Sequence, residues 1–206
     1  MNIRFCNSGK GRGFSEYIPG ESAWRAVNAS GYMVIHCIWS VGKSRGSGFA
    51  QELLRFCEED TKKHGRDGVA MVTSESNWLI PSRFLSGQGY ECVDQAPPSF
   101  KLMVKKFHPA PSPTFCGDWE KKQKALGFGL TLVRTDQCPY LETVAATSQS
   151  TAESLGVSFQ DITLQSAAEI REKAPCAYGT NALLYNGKLL TYTWISKAKL
   201  MEMRSK

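Results

Sequence analysis

Apolar and polar positions alternate along the first half of the chain with two different periods. The longest apolar run has the length of a strand and ends in a polar break, after which apolar residues recur with helical spacing. A shorter apolar run, a proline suited to the first turn of a helix, and two alternating segments follow. The predicted elements are strand 32–39, helix 49–64, strand 69–73, a helix that begins at Pro81, and strands 90–93 and 99–105.

A proline-rich segment, 108–113, separates this half from the rest of the chain. Its alternating prolines stiffen the backbone and forbid a helix. Beyond it the pattern predicts strand 130–134, helix 141–155, strand 157–164, helix 167–173 and a hairpin around Asn186-Gly187. We therefore predict a first domain at 1–107, a linker and connecting segment at 108–128, and a second module at 129–206.

Composition favours a globular, cytoplasmic protein. Hydrophobic residues make up 42% of the 206 positions and charged residues 21%, which is ordinary for a folded domain. No apolar run reaches the roughly 18 residues of a spanning helix, and the first residues lack the apolar stretch of a secretory signal. The seven cysteines are scattered without a C-x-x-C pair. That distribution indicates reduced thiols rather than a disulfide framework.

Charge and ligand spacing argue against two further classes of partner. The formal net charge is +6, but no basic stripe with stacking aromatics and no nucleic-acid motif accompanies it. The cysteines and three histidines lack the spacing of a metal site. We therefore expect no nucleic acid, no membrane and no metal as partners.

The polar break between the first predicted strand and the first helix carries the candidate chemistry. It reads Lys43-Ser44-Arg45-Gly46-Ser47-Gly48, directly before Phe49. Glycines let the backbone approach an anion, and the N–H groups and positive dipole end of a helix then hold it. The segment lacks both the GK[ST] ending of a nucleotide P-loop and the three-glycine pattern of a dinucleotide fold. An ordinary glycine turn that caps a helix is the alternative interpretation.

This turn resembles the Arg/Gln-x-x-Gly-x-Gly/Ala loop of the GCN5-related N-acetyltransferases (GNAT), with Lys43 in the first position. That loop binds the pyrophosphate of acetyl-CoA. The later phrase Phe84-Leu85-x-x-x-Gly89-Tyr90-Glu91 is similar to the family's passage from helix to strand. The first domain is therefore identified as a GNAT domain.

The second module resembles a thioredoxin or glutaredoxin. Cys138-Pro139-Tyr140 follows a predicted strand, although Leu141 stands where the second cysteine of a redox motif would be. From about Phe14 onward the chain is similar to YoaP-type GNAT proteins, which carry a short thioredoxin-like extension. The matching words include Glu16-Tyr17-Ile18-Pro19, Asp136-Gln137-Cys138-Pro139 and Tyr185-Asn186-Gly187-Lys188. The fold class implied is α/β (α+β), with a GNAT-type mixed sheet and flanking helices followed by a small thioredoxin-like βαβαββ module. The family's first strand and helices have no counterpart here, so an unpaired sheet edge and a homodimer through it are expected.

The resemblance implies an acetyl-CoA-dependent N-acetyltransferase that acts on an amine acceptor. Acetyl transfer requires a positioned thioester, a proton acceptor and a stabiliser of the developing negative charge. Many members have a tyrosine that protonates the departing thiolate, but Leu85 occupies that position, with Ser82 and Ser86 as weak substitutes. The implied cofactor-binding residues are Ile38, Trp39, Ser40, Lys43, Ser44, Arg45, Gly46, Ser47, Gly48 and Phe49.

The candidate proton acceptors are two carboxylates. Glu75 lies just past predicted strand 69–73, and Glu16 lies on an earlier strand. Each is alternatively a solvated surface acid. His36 is chemically suited to accept a proton, but simple strand alternation places it on one face with Val34 and Ile38. That placement indicates a packed, hydrogen-bonded histidine.

An alternative function is centred on Cys138. A cysteine just before the start of a helix lies near a positive dipole end, which favours a reactive thiolate. The chain would then be a thiol-redox or thiol-binding thioredoxin-like protein, with Cys176 as a possible resolving thiol and a GNAT half that only binds CoA.

Overall fold

The computed structural model describes residues 2–8, 11–41, 48–75, 79–194 and 196–204. The chain divides into two units. The first contains Met1–Ala23 and Val27–Phe115, and the second contains Trp24–Ala26 and Cys116–Lys206. The main division, at 115–116, lies within the predicted segment 108–128, whereas the sequence pattern gives no sign that Trp24–Ala26 belongs to the second unit.

A six-stranded mixed sheet is the centre of the first unit. Its strand order is β1-β2-β4-β5-β7-β6, and β3 pairs separately with β8. Strands β4 and β5 are parallel, and the other neighbours in the sheet are antiparallel. The strands are β1 (Asn2–Ser8), β2 (Gly11–Pro19), β3 (Val27–Asn28), β4 (Tyr32–Val41), β5 (Gly68–Thr73), β6 (Glu91–Ala96), β7 (Phe100–Lys106) and β8 (Thr114–Phe115).

Helix α1 (Phe49–Lys63) connects the parallel strands β4 and β5, as a parallel pair requires. Its buried residues, among them Leu53, Leu54 and Cys57, recur with helical spacing and face the sheet. Gly48 precedes the helix with a φ of 87°, a left-handed conformation that glycine adopts without steric cost. The helix therefore begins where the glycine-rich segment ends, as predicted.

The main core of the first unit lies between α1 and the sheet. A second short helix, α2 (Ser82–Ser86), contributes Leu85 to it. The core consists of Tyr17, Met33, Ile35, Leu54, Cys57, Val69, Met71, Leu85, Tyr90 and Met103. Because Met33 and Ile35 belong to it, this face of β4 is the one that α1 covers.

The second unit contains a four-stranded sheet of order β10-β9-β11-β12. The pair β9 and β10 is parallel, and the other two pairs are antiparallel. The strands are β9 (Leu130–Arg134), β10 (Phe159–Thr163), β11 (Asn181–Tyr185) and β12 (Lys188–Thr191), and the helices are α3 (Trp119–Lys124), α4 (Tyr140–Leu155), α5 (Ala167–Lys173) and α6 (Lys197–Arg204). The predicted order of strand, helix, strand, helix and hairpin is present, whereas α3 and α6 were not predicted.

Its core lies between α4, α6 and the sheet, and includes Leu132, Leu141, Leu183 and Leu200. Within the described ranges, no helix combines the length and the apolar character needed to cross a membrane.

Candidate active site

The parallel strands β4 and β5 are paired over only part of their length. Their pairing runs from Tyr32 and Gly68 to Ile35 and Met71. Beyond that point β4 continues to Val41 against β2, and β5 continues to Thr73 against β7. Residues 36–41 of β4 and 72–73 of β5 are therefore not paired with each other. We call the space between them the β4–β5 gap.

A β-bulge marks the point of separation. Glu16 pairs with Cys37, and the next residue, Tyr17, pairs with Ile35, so His36 is the extra residue of β4. A bulge bends its strand and redirects side chains. Ile35 belongs to the core under α1, and Ile38 packs against the same core. The sequence-based placement of Ile38 on one face with His36 was therefore wrong, because the bulge interrupts the alternation.

The structure describes two parts of the predicted cofactor segment. Ile38, Trp39 and Ser40 are on β4 within the gap, and Gly48 and Phe49 start α1. The Trp39 side chain is 49% exposed, and its ring lies 5.8 Å from that of Phe14. The remaining predicted residues, Lys43, Ser44, Arg45, Gly46 and Ser47, lie outside the described residues.

The backbone of β4 is closely approached by β2 along this gap. A Cβ on Gly13 would lie 2.7 Å from the carbonyl oxygen of Trp39 and 3.2 Å from Leu53. Any other residue at this position would push β4 or α1 aside. The glycine therefore keeps β2 close to the β4 backbone at Trp39.

Glu16 lies on β2 and contacts His36 at the bulge. Nδ1 of His36 lies 3.3 Å from Oε1 of Glu16. The histidine side chain is fully buried, and that of Glu16 is 10% exposed. The expectation that His36 is packed and hydrogen-bonded is confirmed. The expectation that Glu16 is a solvated surface acid is wrong, because the carboxylate is buried against this imidazole.

Glu75, the other candidate proton acceptor, is in a different environment. Its side chain is 65% exposed, and its Oε1 lies 3.5 Å from Nζ of Lys101. It lines a shallow concavity with Pro97, Pro98 and Phe100. In that solvated setting Glu75 fits a surface ion pair, which contributes little energy.

Leu85, at the position where the GNAT resemblance implies a tyrosine, has no proton to donate. Leu85 is fully buried in the core under α1. Ser82 accepts a hydrogen bond from Lys101 at 3.4 Å. The described residues thus supply no tyrosine at that place.

In the second unit, Cys138 is half-buried immediately before α4 and packs against the core. Cys176 is buried, and its Sγ donates to the carbonyl oxygen of Asn181 at 3.8 Å. Burial raises the pKa of the Cys176 thiol to about 11. Since thiol exchange needs a thiolate, Cys176 is poorly suited to the role of a resolving thiol.

Sequence reasoning missed Arg25, which is buried in the second unit. Its Nη1 donates to the carbonyl oxygen of Trp24 at 2.9 Å and to Oγ1 of Thr180, and the guanidinium lies 4.6 Å from the Tyr178 ring centre. It also approaches Oε1 of Gln137 at 3.5 Å. Arg25 thus braces the turn before β11 and the loop that leads to Cys138. No local pattern around a single arginine signals such burial.

No cluster of three or more metal-binding side chains occurs among the residues for which the structure gives positions.

A curated relative matches the sequence of the chain along most of its length. The chain is 31% identical over 193 residues, which are 92% of this chain and 76% of the relative, to the uncharacterized N-acetyltransferase YoaP of Bacillus subtilis (strain 168). No family model matches the chain.

Solved structures of acetyltransferases show a partial likeness to the fold. A putative GNAT acetyltransferase from Desulfovibrio desulfuricans shares 18% identity and covers 52% of this chain and 68% of its own, with a TM-score of 0.40. An aminoglycoside 6'-N-acetyltransferase complexed with coenzyme A shares 12% identity and covers 53% and 74%, with a TM-score of 0.39. The relationship to acetyltransferases therefore rests on the sequence match.

Proposed function

The chain belongs to the GNAT N-acetyltransferases of the YoaP type, and we propose that it transfers the acetyl group of acetyl-CoA to an amine. The enzyme class is an acyltransferase. The site of transfer is the β4–β5 gap in the first unit.

The separation of β4 from β5 supports this proposal most strongly. A strand whose edge is not engaged by its neighbour can form backbone hydrogen bonds with an extended chain that contains amides, and the pantetheine arm is such a chain. In the sequence, β4 is followed by α1, a helix of 15 residues. Its N–H groups and positive dipole end suit the pyrophosphate. Lys43 and Arg45 add positive charge between these two features in the sequence.

The reaction is written as direct attack. The amine nitrogen forms a bond to the thioester carbonyl carbon, and the carbonyl electron pair moves to oxygen. Collapse of this intermediate restores the carbonyl, breaks the C–S bond and releases the CoA thiolate. Backbone N–H groups of β4 that face the gap are suited to stabilise the oxyanion. The thiolate is a good leaving group, so the presence of Leu85 in place of a tyrosine is compatible with turnover.

The amine must lose a proton during the reaction, and Glu16 is the candidate that the geometry supports best. It is paired in register with Cys37, the first residue of β4 beyond the bulge. Its carboxylate is mostly shielded from water and is fixed by His36. Glu75 remains the second candidate, on an exposed segment.

For the second unit we propose a thioredoxin-like fold, supported by the strand order β10-β9-β11-β12 with a single parallel pair. We do not extend this to redox catalysis. Leu141, at the position of a second redox cysteine, is part of the hydrophobic core, and Cys176 has a raised pKa. The scattered free cysteines are the basis for proposing a cytoplasmic location.

Isothermal titration with acetyl-CoA tests the cofactor assignment. The parent is expected to bind, and Gly46→Glu is expected to weaken binding by about tenfold or more, because it adds a negative charge and a side chain where the pyrophosphate would lie. The matched control is Gly65→Glu, just past the other end of α1. A Cβ there meets nothing within 4 Å, and the φ of 62° makes the substitution cost some stability without placing charge at the predicted pyrophosphate loop. No binding by the parent, or equal binding by the parent and Gly46→Glu, contradicts the assignment.

Transfer itself is followed by mass spectrometry of the products. Acetyl-CoA is incubated with a panel of primary amines that includes polyamines, amino sugars and lysine-containing peptides. An acetylated amine and free CoA in equal amounts are expected, and the best acceptor becomes the probe amine for kinetics. Binding of acetyl-CoA without transfer to any amine in the panel would argue for a protein that binds CoA only.

A further inference from the structure

The bulge in β4 places a buried histidine at the point where the sheet separates. Pairing between β4 and β5 ends at Ile35, and His36, the next residue, is the extra residue of the bulge. Bulges occur preferentially beside functional sites, where they redirect a side chain. Burial of a polar side chain lowers the stability of the fold unless the side chain is hydrogen-bonded. The hydrogen-bond partner of His36 is therefore informative about the role of this residue.

That partner is a carboxylate on the neighbouring strand. Oε1 of Glu16 lies 3.3 Å from Nδ1 of His36. A carboxylate that is to accept a proton must be ionised, and in that state it only accepts hydrogen bonds, so this role requires the proton of the contact to lie on Nδ1. The histidine is fully buried, whereas Glu16 retains 10% exposure. Of the two side chains, only the carboxylate therefore retains contact with solvent.

We propose that His36 is a positioning residue that holds the Glu16 carboxylate towards the β4–β5 gap, where Glu16 accepts the proton of the attacking amine. This inference rests on the proposed function and extends it to a residue behind the reacting group. In the step concerned, an N–H bond of the amine breaks and an O–H bond forms on Glu16. The imidazole keeps its own proton throughout and contributes by fixing the carboxylate, since small displacements of a catalytic group are costly.

A pair of substitutions separates this role from simple packing. His36→Asn keeps an N–H donor close to the position of Nδ1, and His36→Leu has nearly the same shape as Asn without the donor. Both remove the same ring, so both leave a similar cavity. With the probe amine, His36→Leu is expected to lower kcat by about 100-fold. His36→Asn is expected to stay within about threefold of the parent, and neither variant should change the affinity for acetyl-CoA or the KM for it.

The possible outcomes distinguish failure of the positioning role from failure of the acetyltransferase function. If the parent transfers acetyl groups and the Asn and Leu variants lose kcat equally, or both retain it, the positioning role is overturned and the proposed function stands. If the parent neither binds acetyl-CoA nor acetylates an amine, both are overturned.

A spectroscopic measurement on the parent does not depend on the folding of the variants. Long-range ¹H–¹⁵N correlation of the three histidine rings, with His36 identified by its absence in His36→Asn, should show a protonated Nδ1 at His36 at neutral pH. An unprotonated Nδ1 would overturn the inference.

Discussion

Replacement of Glu16 by glutamine is expected to lower kcat with the probe amine by about 10²- to 10⁴-fold, the usual contribution of a general base. Glutamine has the shape of glutamate, and its Oε1 can still accept the hydrogen bond from Nδ1 of His36. It cannot accept a proton from the amine. Binding of acetyl-CoA should therefore be unchanged, because the contacts assigned to the cofactor are made by β4 and the start of α1.

The control is the same substitution at the other candidate carboxylate. Glu75→Gln removes one exposed charge beside Lys101, and the effect on kcat is expected to stay within about twofold, since exposed ion pairs have small energies. Steady-state rates of CoA release at saturating acetyl-CoA compare the two variants. A large loss in Glu75→Gln together with a normal rate in Glu16→Gln would assign the proton acceptor to Glu75 instead.

Gly179→Ala is expected to destabilise the second unit by about 3 kcal/mol, for two reasons that add. The glycine has a φ of 76°, which disfavours any side chain. An added Cβ would also lie 2.6 Å from the backbone nitrogen of Ala26 and 2.9 Å from the backbone of Arg25. The segment that would be displaced is the one that carries Arg25 into this unit.

Gly156→Ala separates the two contributions. Gly156 follows α4 with a φ of 61°, and nothing lies within 4 Å of a Cβ there. Gly156→Ala should therefore lower the free energy of unfolding by only about 1 kcal/mol, the cost of a left-handed conformation for alanine. Urea denaturation followed by circular dichroism gives both values. Equal losses in the two variants would mean that Trp24–Ala26 does not press against Gly179.

The sequence was sufficient to predict the elements that flank the site. The apolar run 32–39, the glycine-rich break and the helical spacing from Phe49 are local signals, and β4 and α1 lie where these signals place them. The GNAT resemblance at Lys43-Ser44-Arg45-Gly46-Ser47-Gly48 is equally local. The YoaP relationship agrees with it.

The side-chain contacts within the site were not predictable from local sequence signals. The bulge at His36 is set by the register between β2 and β4, in which Glu16 and His36 lie 20 positions apart, beyond the reach of a local pattern. Strict alternation therefore gave the wrong face for Ile38, and it gave no reason to pair His36 with Glu16. The burial of Arg25 was also not predictable from a local pattern. Its contacts with Thr180 and Tyr178 join residues more than 150 positions apart, and such contacts produce no periodicity in the sequence.

Hydrogen–deuterium exchange of the parent with and without acetyl-CoA tests the central claim most directly, because it locates the bound molecule without knowledge of the acceptor. Amides that gain hydrogen bonds from a ligand exchange more slowly. Slower exchange is predicted at 37–41 on β4 and at 48–53 at the start of α1, with no change at 181–191 in the β11–β12 hairpin. Acetyl-CoA binding that leaves 37–41 and 48–53 unchanged would contradict the assignment of the β4–β5 gap as the cofactor site.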